Sequence, residues 1–460
     1  MKTLLNYNIN IAFSYLLYRS KQYLREILCP TCCIMILNRI YLILVSVFNV
    51  QPREKCQLHT RSHFSEPLPV IIRNGRLLEP DDDFGNINME YGQALTLSCV
   101  GEGAIQHPNV KNQVSTGDII CEGGSMFSNN DWLNGPSSFR PFSCLSSPVH
   151  ISRRTNRTCY RNNPVIEVGF SINNDFYPAY ESCFDEGKLE AVYSKYTQKP
   201  YNALYQTKVG REDRQFFLTD HDIFGHIPVG SLYSPKGLRA AVSQSVGPLA
   251  HSYFTDWQFL NRGHLAAKTD FVLAFTERAT FHYVNCAPQW SGFNGGNWNT
   301  LEVDLRNHVH NTKLDTIIYT GTYGVSQLMN QQDRYVDLYL TNDSNNNPVI
   351  PVPLYFYKVV YEPGTRRGIA FVGINNPYLN PEEARGLFFC EDICRRNSDF
   401  SWLTWNPDNP SDGYSFCCSI PNFTQTVDHL PNLEVAGVFS QTYKQTELAT
   451  WIYTWILTKS

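Results

Sequence analysis

The chain has no internal repeat, no low-complexity tract and no glycine-rich loop of the kind that cradles nucleotide phosphates. Those absences set aside solenoid, disordered and P-loop readings. There is no basic excess either: 38 Lys and Arg stand against 42 Asp and Glu, a net charge of -4. A nucleic-acid partner would therefore need a local basic cleft, because no global field attracts it. Long hydrophobic runs are also missing near the start. The run Ile40 to Phe48 is short and follows Arg39, which argues against a membrane span and against stable membrane association.

What is present suits a folded protein. Hydrophobic residues make up 42% and charged residues 17%, away from the composition of disordered chains. At 460 residues, two domains are the prior expectation. Aromatics reach 13%, with 27 Tyr among them, and many Asn and Gly accompany them, so sheet with many loops is expected.

Fourteen cysteines are mostly scattered singly, and Asn156, Asn342 and Asn422 each open a glycosylation sequon. Together these point to an oxidising, secretory route. The apolar run at 40–48 suits a signal peptide that starts at Met35, so residues 35–52 are read as that peptide. Residues 1–34 are then read as a non-native upstream extension. Removing Cys29, Cys32 and Cys33 leaves an odd number of cysteines, and Cys286 is the candidate for the unpaired thiol. Cys390 and Cys394 with Cys417 and Cys418 could hold zinc; two disulfides are the preferred reading in a secreted chain.

Residues 56–185 read as a small, disulfide-rich β domain with short β-prone runs such as Leu68 to Ile72 and Ala94 to Val100. Its acidic run Glu79 to Asp83 could bind a cation, with a solvated turn preferred. Arg153-Arg154 is read as an exposed loop. Residues 200–460 form a larger α+β block. Strands are expected at Thr316 to Thr320, Val352 to Tyr361 and Gly368 to Val372, and a packed helix at Leu448 to Leu457.

The chemistry concentrates between residues 258 and 306. An apolar run ends at Asn261-Arg262-Gly263-His264. Thr280 to Val284 reads as a second strand leading into Asn285-Cys286-Ala287-Pro288-Gln289. From Asn294 a helix follows, with Trp298, Leu301, Leu305 and Val309 on one stripe. At about 100° per residue, Glu302 lies roughly 80° and Arg306 roughly 120° round from Asn294, so all three can face one cleft.

Strand, histidine turn, strand and asparagine helix, in that order, resemble the ββα-metal core of the DNA/RNA non-specific endonuclease family. The turn resembles its Asp-Arg-Gly-His signature, with Asn261 in place of the Asp. Asn285 to Gln289 and Asn294 to Glu302 resemble its next two motifs. The form of the turn and the cysteine-rich first block look most like secreted insect nucleases that degrade double-stranded RNA. The fold implied is a ββα-metal nuclease core on a mixed or antiparallel sheet, over residues 200–460.

The resemblance also implies roles. His264 is the general base, since a neutral imidazole can take a proton from water. Asn294 is the direct ligand of a hard divalent cation, Mg²⁺ by expectation with Mn²⁺ as the alternative, and Glu302 holds the metal waters. Arg262 and Arg306 stabilise the phosphorane. Asn285 hydrogen-bonds near the scissile phosphate or orients the site, Gln289 and Arg262 with it are expected to bind substrate, and Gly263 lets the turn bring His264 to the backbone of the nucleic acid. RNA and DNA are the expected partners, cut with little sequence preference because phosphate contacts carry no base information. An extracellular setting such as a gut lumen is implied. His221, His226, His282, His308 and His310 are read as structural. The rival readings are a catalytically silent binding protein of the same fold and a carbohydrate-binding secreted protein.

Overall fold

A computed structural model describes residues 53–101, 103–204 and 216–440. The expected upstream extension, signal peptide and C-terminal helix lie outside them. Among the described residues, no helix is long and apolar enough to cross a membrane.

The first block builds a six-stranded antiparallel sheet. Its order is Arg76–Leu77, Val70–Arg73, Ala94–Ser98, Thr116–Gly123, Met126–Ser128 and Ser137–Ser138. Ile71, Leu95, Leu97 and Ile119 are buried in its core. Disulfides Cys56–Cys121 and Cys99–Cys144 staple it. Each aspartate of the acidic run has a protein partner. Asp81 takes Arg73, Asp82 accepts from Asn86, and Asp83 pairs with Lys313. The run is a turn held by side chains.

Eleven strands and two helices place the site, labelled in chain order. The first four strands are β1 (Ile151–Thr158), β2 (Pro164–Ile172), β3 (Asp175–Asp185) and β4 (Glu190–Gln198). Helix α1 (Pro235–Val246) follows, then β5 (Leu260–His264) and β6 (Cys286–Trp290). Helix α2 (Asn299–Thr312) leads to β7 (Thr316–Val325), β8 (Pro353–Glu362) and β9 (Arg367–Ile374). Last come β10 (Ser415–Cys418) and β11 (Gly437–Val438).

Nine of these strands make one sheet, in the order β1-β2-β3-β4-β7-β8-β9-β10. Its neighbours are antiparallel throughout, and β11 runs parallel beside β9. Strand β8 is buried along nearly its whole length, which explains its almost unbroken apolar sequence in the middle of a sheet covered on both sides. One face carries Tyr196, Thr320, Phe356 and Lys358 toward the helix bearing Trp298. The other packs Tyr193, Tyr319, Tyr357 and Val359 into a second core with Phe416 and Phe423.

The sheets do not follow the boundaries 56–185 and 200–460. Strands β1 to β4 lie ahead of residue 200 yet belong to the nine-stranded sheet, and disulfide Cys159–Cys183 sits there too. Arg153 and Arg154 are on strand β1, paired with Glu167 and Glu186, and do not lie in a loop. Cys390–Cys418 and Cys394–Cys417 are disulfides, as preferred from the sequence. Cys286 is the free cysteine among the described residues; it is buried, and burial pushes its thiol pKa up.

Candidate active site

Strands β5 and β6 form a two-stranded antiparallel ribbon. Leu260 faces Trp290, Arg262 faces Pro288, and His264 faces Cys286. The second strand therefore starts at Cys286. The aromatic run expected as a strand, Thr280 to Val284, instead ends in a turn of 3-10 helix at Tyr283–Asn285. The cause is Asn285, whose side chain organises that turn. Its Nδ2 donates to the carbonyls of Ala266 (3.0 Å) and Thr280 (2.9 Å), and its Oδ1 accepts from Ala266 N–H (2.8 Å) and Ser194 Oγ (2.8 Å). The Asn285 carbonyl also accepts from Leu265 N–H at 2.9 Å. Asn285 is fully buried and has no face left for substrate. It clamps the two residues that follow His264.

Gln289 is likewise fully buried, so direct substrate contact is not open to it. It packs on Gly263: a Cβ there would sit 2.2 Å from Gln289 Oε1 and 2.7 Å from its Cβ. Gly263 is thus part of a regular strand, and its missing side chain makes room for the glutamine. It does not form a turn that carries His264 outward.

The His264 ring lies among aromatics, 4.9 Å from Phe217 and 4.8 Å from Phe281 between centroids, the latter edge-to-face. Its Nε2 is buried with no hydrogen-bond partner. Burial first, then the charges of Lys268 and Arg262, push its pKa from 6.5 to about 4. The imidazole is held neutral, as a proton acceptor must be. Arg262 is exposed, with its guanidinium 5.0 Å from the centre of the Phe217 ring. One cation and one neutral base therefore share an aromatic wall.

The helix that follows β6 is continuous but irregular. Ser291–Phe293 is α-helical, Asn294–Trp298 forms a π turn, and α2 completes the run to Thr312. Gly296 takes φ -92° and ψ -116°, outside helical values. A Cβ there would lie 2.7 Å from Asp412 Cα, so only glycine fits. Asn297 pins the widened turn: it donates to the Asn406 carbonyl (2.8 Å) and accepts from Asn406 N–H (2.7 Å). Such π turns recur at functional positions. Trp298, Leu301, Leu305 and Val309 all point into the core, matching the expected stripe.

Asn294 is half-buried, and among the described residues its amide makes no side-chain hydrogen bond. Glu302 faces Lys358, Asp270 and Arg306; burial raises its carboxyl pKa and Lys358 pulls it back. An amide oxygen and a carboxylate form an all-oxygen donor set, which fits a hard divalent cation. The close group of His, Cys, Asp and Glu among the described residues is Asp392, Cys394 and Cys417, whose two sulfurs are bonded to each other.

Arg306 is buried, and its Nη1 donates to Asp270 Oδ1 at 2.7 Å. It was expected at the phosphorane; here it lies inside a charged cluster. Two members of that cluster had no sequence signal. Asp270 accepts from Tyr196 Oη (2.6 Å) and Gln198 Nε2 (2.9 Å), and Lys358 donates to Thr320 Oγ1 (2.8 Å) and Tyr196 Oη (3.1 Å). Both are fully buried and come together only through the sheet. Asp270 stands six residues after His264, so its bond to Arg306 ties the base-bearing segment to the Asn294 helix.

His282, His308 and His310 have structural contacts, whereas His221 and His226 are exposed. His282 is buried, 2.8 Å from Asp220 Oδ1 and 2.8 Å from His150 Nδ1. His308 stacks on Trp402, and His310 bonds the Pro200 carbonyl.

Three relatives and one solved structure are similar to this chain. The chain is 27% identical over 356 residues to a salivary endonuclease of Lutzomyia longipalpis, covering 76% of each protein. It is 25% identical over 386 residues to salivary protein Tsal2A of Glossina morsitans morsitans, covering 81% of this chain and 91% of that one. It is 27% identical over 232 residues to a salivary endonuclease of Culex quinquefasciatus, covering 49% and 56%. A solved EndoG/EndoGI complex aligns at 16% identity and a TM-score of 0.34, over 57% of this chain and 89% of that one, too slight a likeness to bear on the fold. The profile of the DNA/RNA non-specific endonucleases matches residues 161–423, more than half of the sequence, and the chain belongs to that family.

Proposed function

We propose that this protein is a secreted endonuclease that hydrolyses phosphodiester bonds in RNA and DNA, double-stranded RNA included. The observation that carries the reading is His264, held neutral among Phe217 and Phe281 on a strand tied through Asp270 and Arg306 to the helix of Asn294 and Glu302. An imidazole nitrogen of His264 takes the proton of the attacking water. Arg262, the exposed cation beside it, pairs with phosphate oxygens as charge builds. Asn294 would hold a divalent cation, Mg²⁺ or Mn²⁺, and Glu302 would orient the waters around it. When bound, that cation supplies charge stabilisation at the phosphate and at the leaving oxygen. Asn285 acts one step removed, by fixing the backbone after His264. Secretion is supported by five disulfides, by sequons that all present an exposed asparagine, and by relatives named as salivary. Those names favour saliva over a gut lumen.

The test is digestion of plasmid DNA and of long double-stranded RNA by the purified protein. Cleavage should need added Mg²⁺ or Mn²⁺, stop with EDTA, and vanish in His264→Ala. Undiminished cleavage by that variant would overturn the assignment. Tight binding without cleavage by the unmodified protein would favour the silent binding protein instead.

A further inference from the structure

Among the described residues, Trp257 is the most exposed large apolar side chain, at 85%. Its ring has no aromatic or cationic partner among the described residues. Leaving an indole in water is unfavourable, and a lone exposed side chain usually needs no explanation. This one is built differently, because the backbone beneath it is locked. Thr255 Oγ1 accepts from the N–H groups of Trp257 (3.2 Å) and Gln258 (2.9 Å), and Thr255 N–H donates to the Gln258 carbonyl at 2.9 Å. The turn is then bolted to the helix start. Ser291 Oγ donates to the Trp257 carbonyl (2.7 Å) and accepts from Phe259 N–H (3.0 Å). Gly292 N–H donates to Gln258 Oε1 at 3.3 Å.

That anchoring fixes the backbone from which the indole projects. Ser291 opens the helical run that carries Asn294, about 4.5 Å further along at the usual helical rise. Leu260, three residues after Trp257, opens the strand that ends at His264. Exposed arginines stand on the adjoining segments: Arg239 lies 4.7 Å from the ring of Phe254, three residues before Trp257, and Arg262 is five residues after Trp257 on the strand of His264. An exposed aromatic face is the platform on which unstacked bases settle, and basic side chains along the same path suit the backbone between them.

We propose that Trp257 is a substrate-binding residue that stacks an unpaired nucleobase next to the scissile phosphate and so favours strands whose bases can leave the helix. This rests on the nuclease reading above. A base inside a duplex offers no free face, so the contact distinguishes single strands and frayed or looped segments from blunt duplex.

The test measures binding in EDTA, where no cleavage occurs, by anisotropy of a short fluorescein-labelled single-stranded oligonucleotide. A blunt duplex and a single strand bearing abasic positions are run beside it. Trp257→Ala should weaken single-strand binding about tenfold, the size of one lost base stack, with Trp257→Phe in between. The duplex and the abasic strand should lose much less. Phe84→Ala, a control of similar exposure (71%) in the first block, should bind like the unmodified protein. Because Trp257 supports no core, circular dichroism should show both variants folded. Equal single-strand affinity in Trp257→Ala, or an equal loss on the abasic strand, would overturn the proposal while leaving the nuclease intact. Failure of the unmodified protein to bind any strand and to cut with Mg²⁺ would instead remove the reading beneath it, and the proposal with it.

Discussion

Arg306 and Asp270 meet at 2.7 Å inside the protein, with neither exposed to water. Lys358 lies in the same cluster, so Asp270→Asn would take a carboxylate away from two buried cations. Breaking a buried pair by removing one partner costs about 3–5 kcal/mol. Urea unfolding of Asp270→Asn should show a loss of that order, together with a fall in nuclease activity. A loss below about 1 kcal/mol would mean the cluster is open to solvent.

Asn285→Ala should damage both stability and catalysis without touching substrate. It leaves the four groups that bond its side chain without their partner. At about 1 kcal/mol net for each bond, roughly 3–4 kcal/mol should be lost in equilibrium unfolding. Because Ala266 loses both side-chain bonds that hold it behind His264, kcat should fall more than KM rises. A pure KM effect would point back to a direct substrate contact.

Gly263→Ala drives a methyl group into Gln289. Overpacking of this kind costs about 1–3 kcal/mol. Gln289→Ala in the same chain removes the contacts with Oε1 and Cδ but keeps the one with Cβ, at 2.7 Å. The double variant should therefore recover part of the loss, and a double-mutant cycle on thermal unfolding would show that coupling. Strict additivity would contradict the packing described.

Acid should weaken the fold. Burial pushes His264, His308 and His429 down to about 4, and His150 to about 3. Their folded pKa values lie below the unfolded value of 6.5, so the unfolded chain binds more protons between the two. The stability they contribute is present above pH 6.5 and drains away as pH falls toward 4. Glu190, raised by burial to about 7, acts in the opposite sense, losing its contribution as pH rises through 7. Glu302, also raised by burial to about 7, acts as Glu190 does, and four histidines against those two carboxyls predict a net loss below pH 6. Proton NMR of the metal-free protein, with His264→Gln to identify the resonance, should show His264 titrating near 4. A midpoint near 6.5 would mean the aromatic wall is not closed in solution.

Alkylation of the unfolded, unreduced protein should label Cys286 alone among residues 53–440, because the other ten cysteines there are paired. In the folded protein even Cys286 should resist. Zinc released on denaturation would contradict the pairing of Cys394 with Cys417.

Much of this site was legible in local spacing. The Trp298, Leu301, Leu305 and Val309 stripe, the strand ending at His264 and the disulfide preference at Cys390 to Cys418 depend on neighbours a few residues apart. What the sequence concealed depends on distant partners. Thr280 to Val284 is β-prone, but the bonds of Asn285 to Ser194 and Ala266 impose a turn on its end. Lys358 reads as an ordinary polar residue in a strand until β7 and β4 supply Thr320 and Tyr196. Strands β1 to β3 read as part of a separate cysteine-rich domain because β4, the strand that joins them to the rest of the sheet, pairs with β7 across more than a hundred residues. Trp257 carries no pattern at all; its meaning comes from the bonds of Ser291.

The pairing of β4 with β7 has a practical consequence for anyone trimming the protein. A truncation starting at residue 200 would strip four strands and leave the backbone of β7 unsatisfied along Thr316 to Gly321. Such a raw border invites pairing between molecules, so the shortened product should precipitate or form filaments, and its inactivity would say nothing about the chemistry. The smallest piece worth expressing starts ahead of His150, whose ring still holds His282.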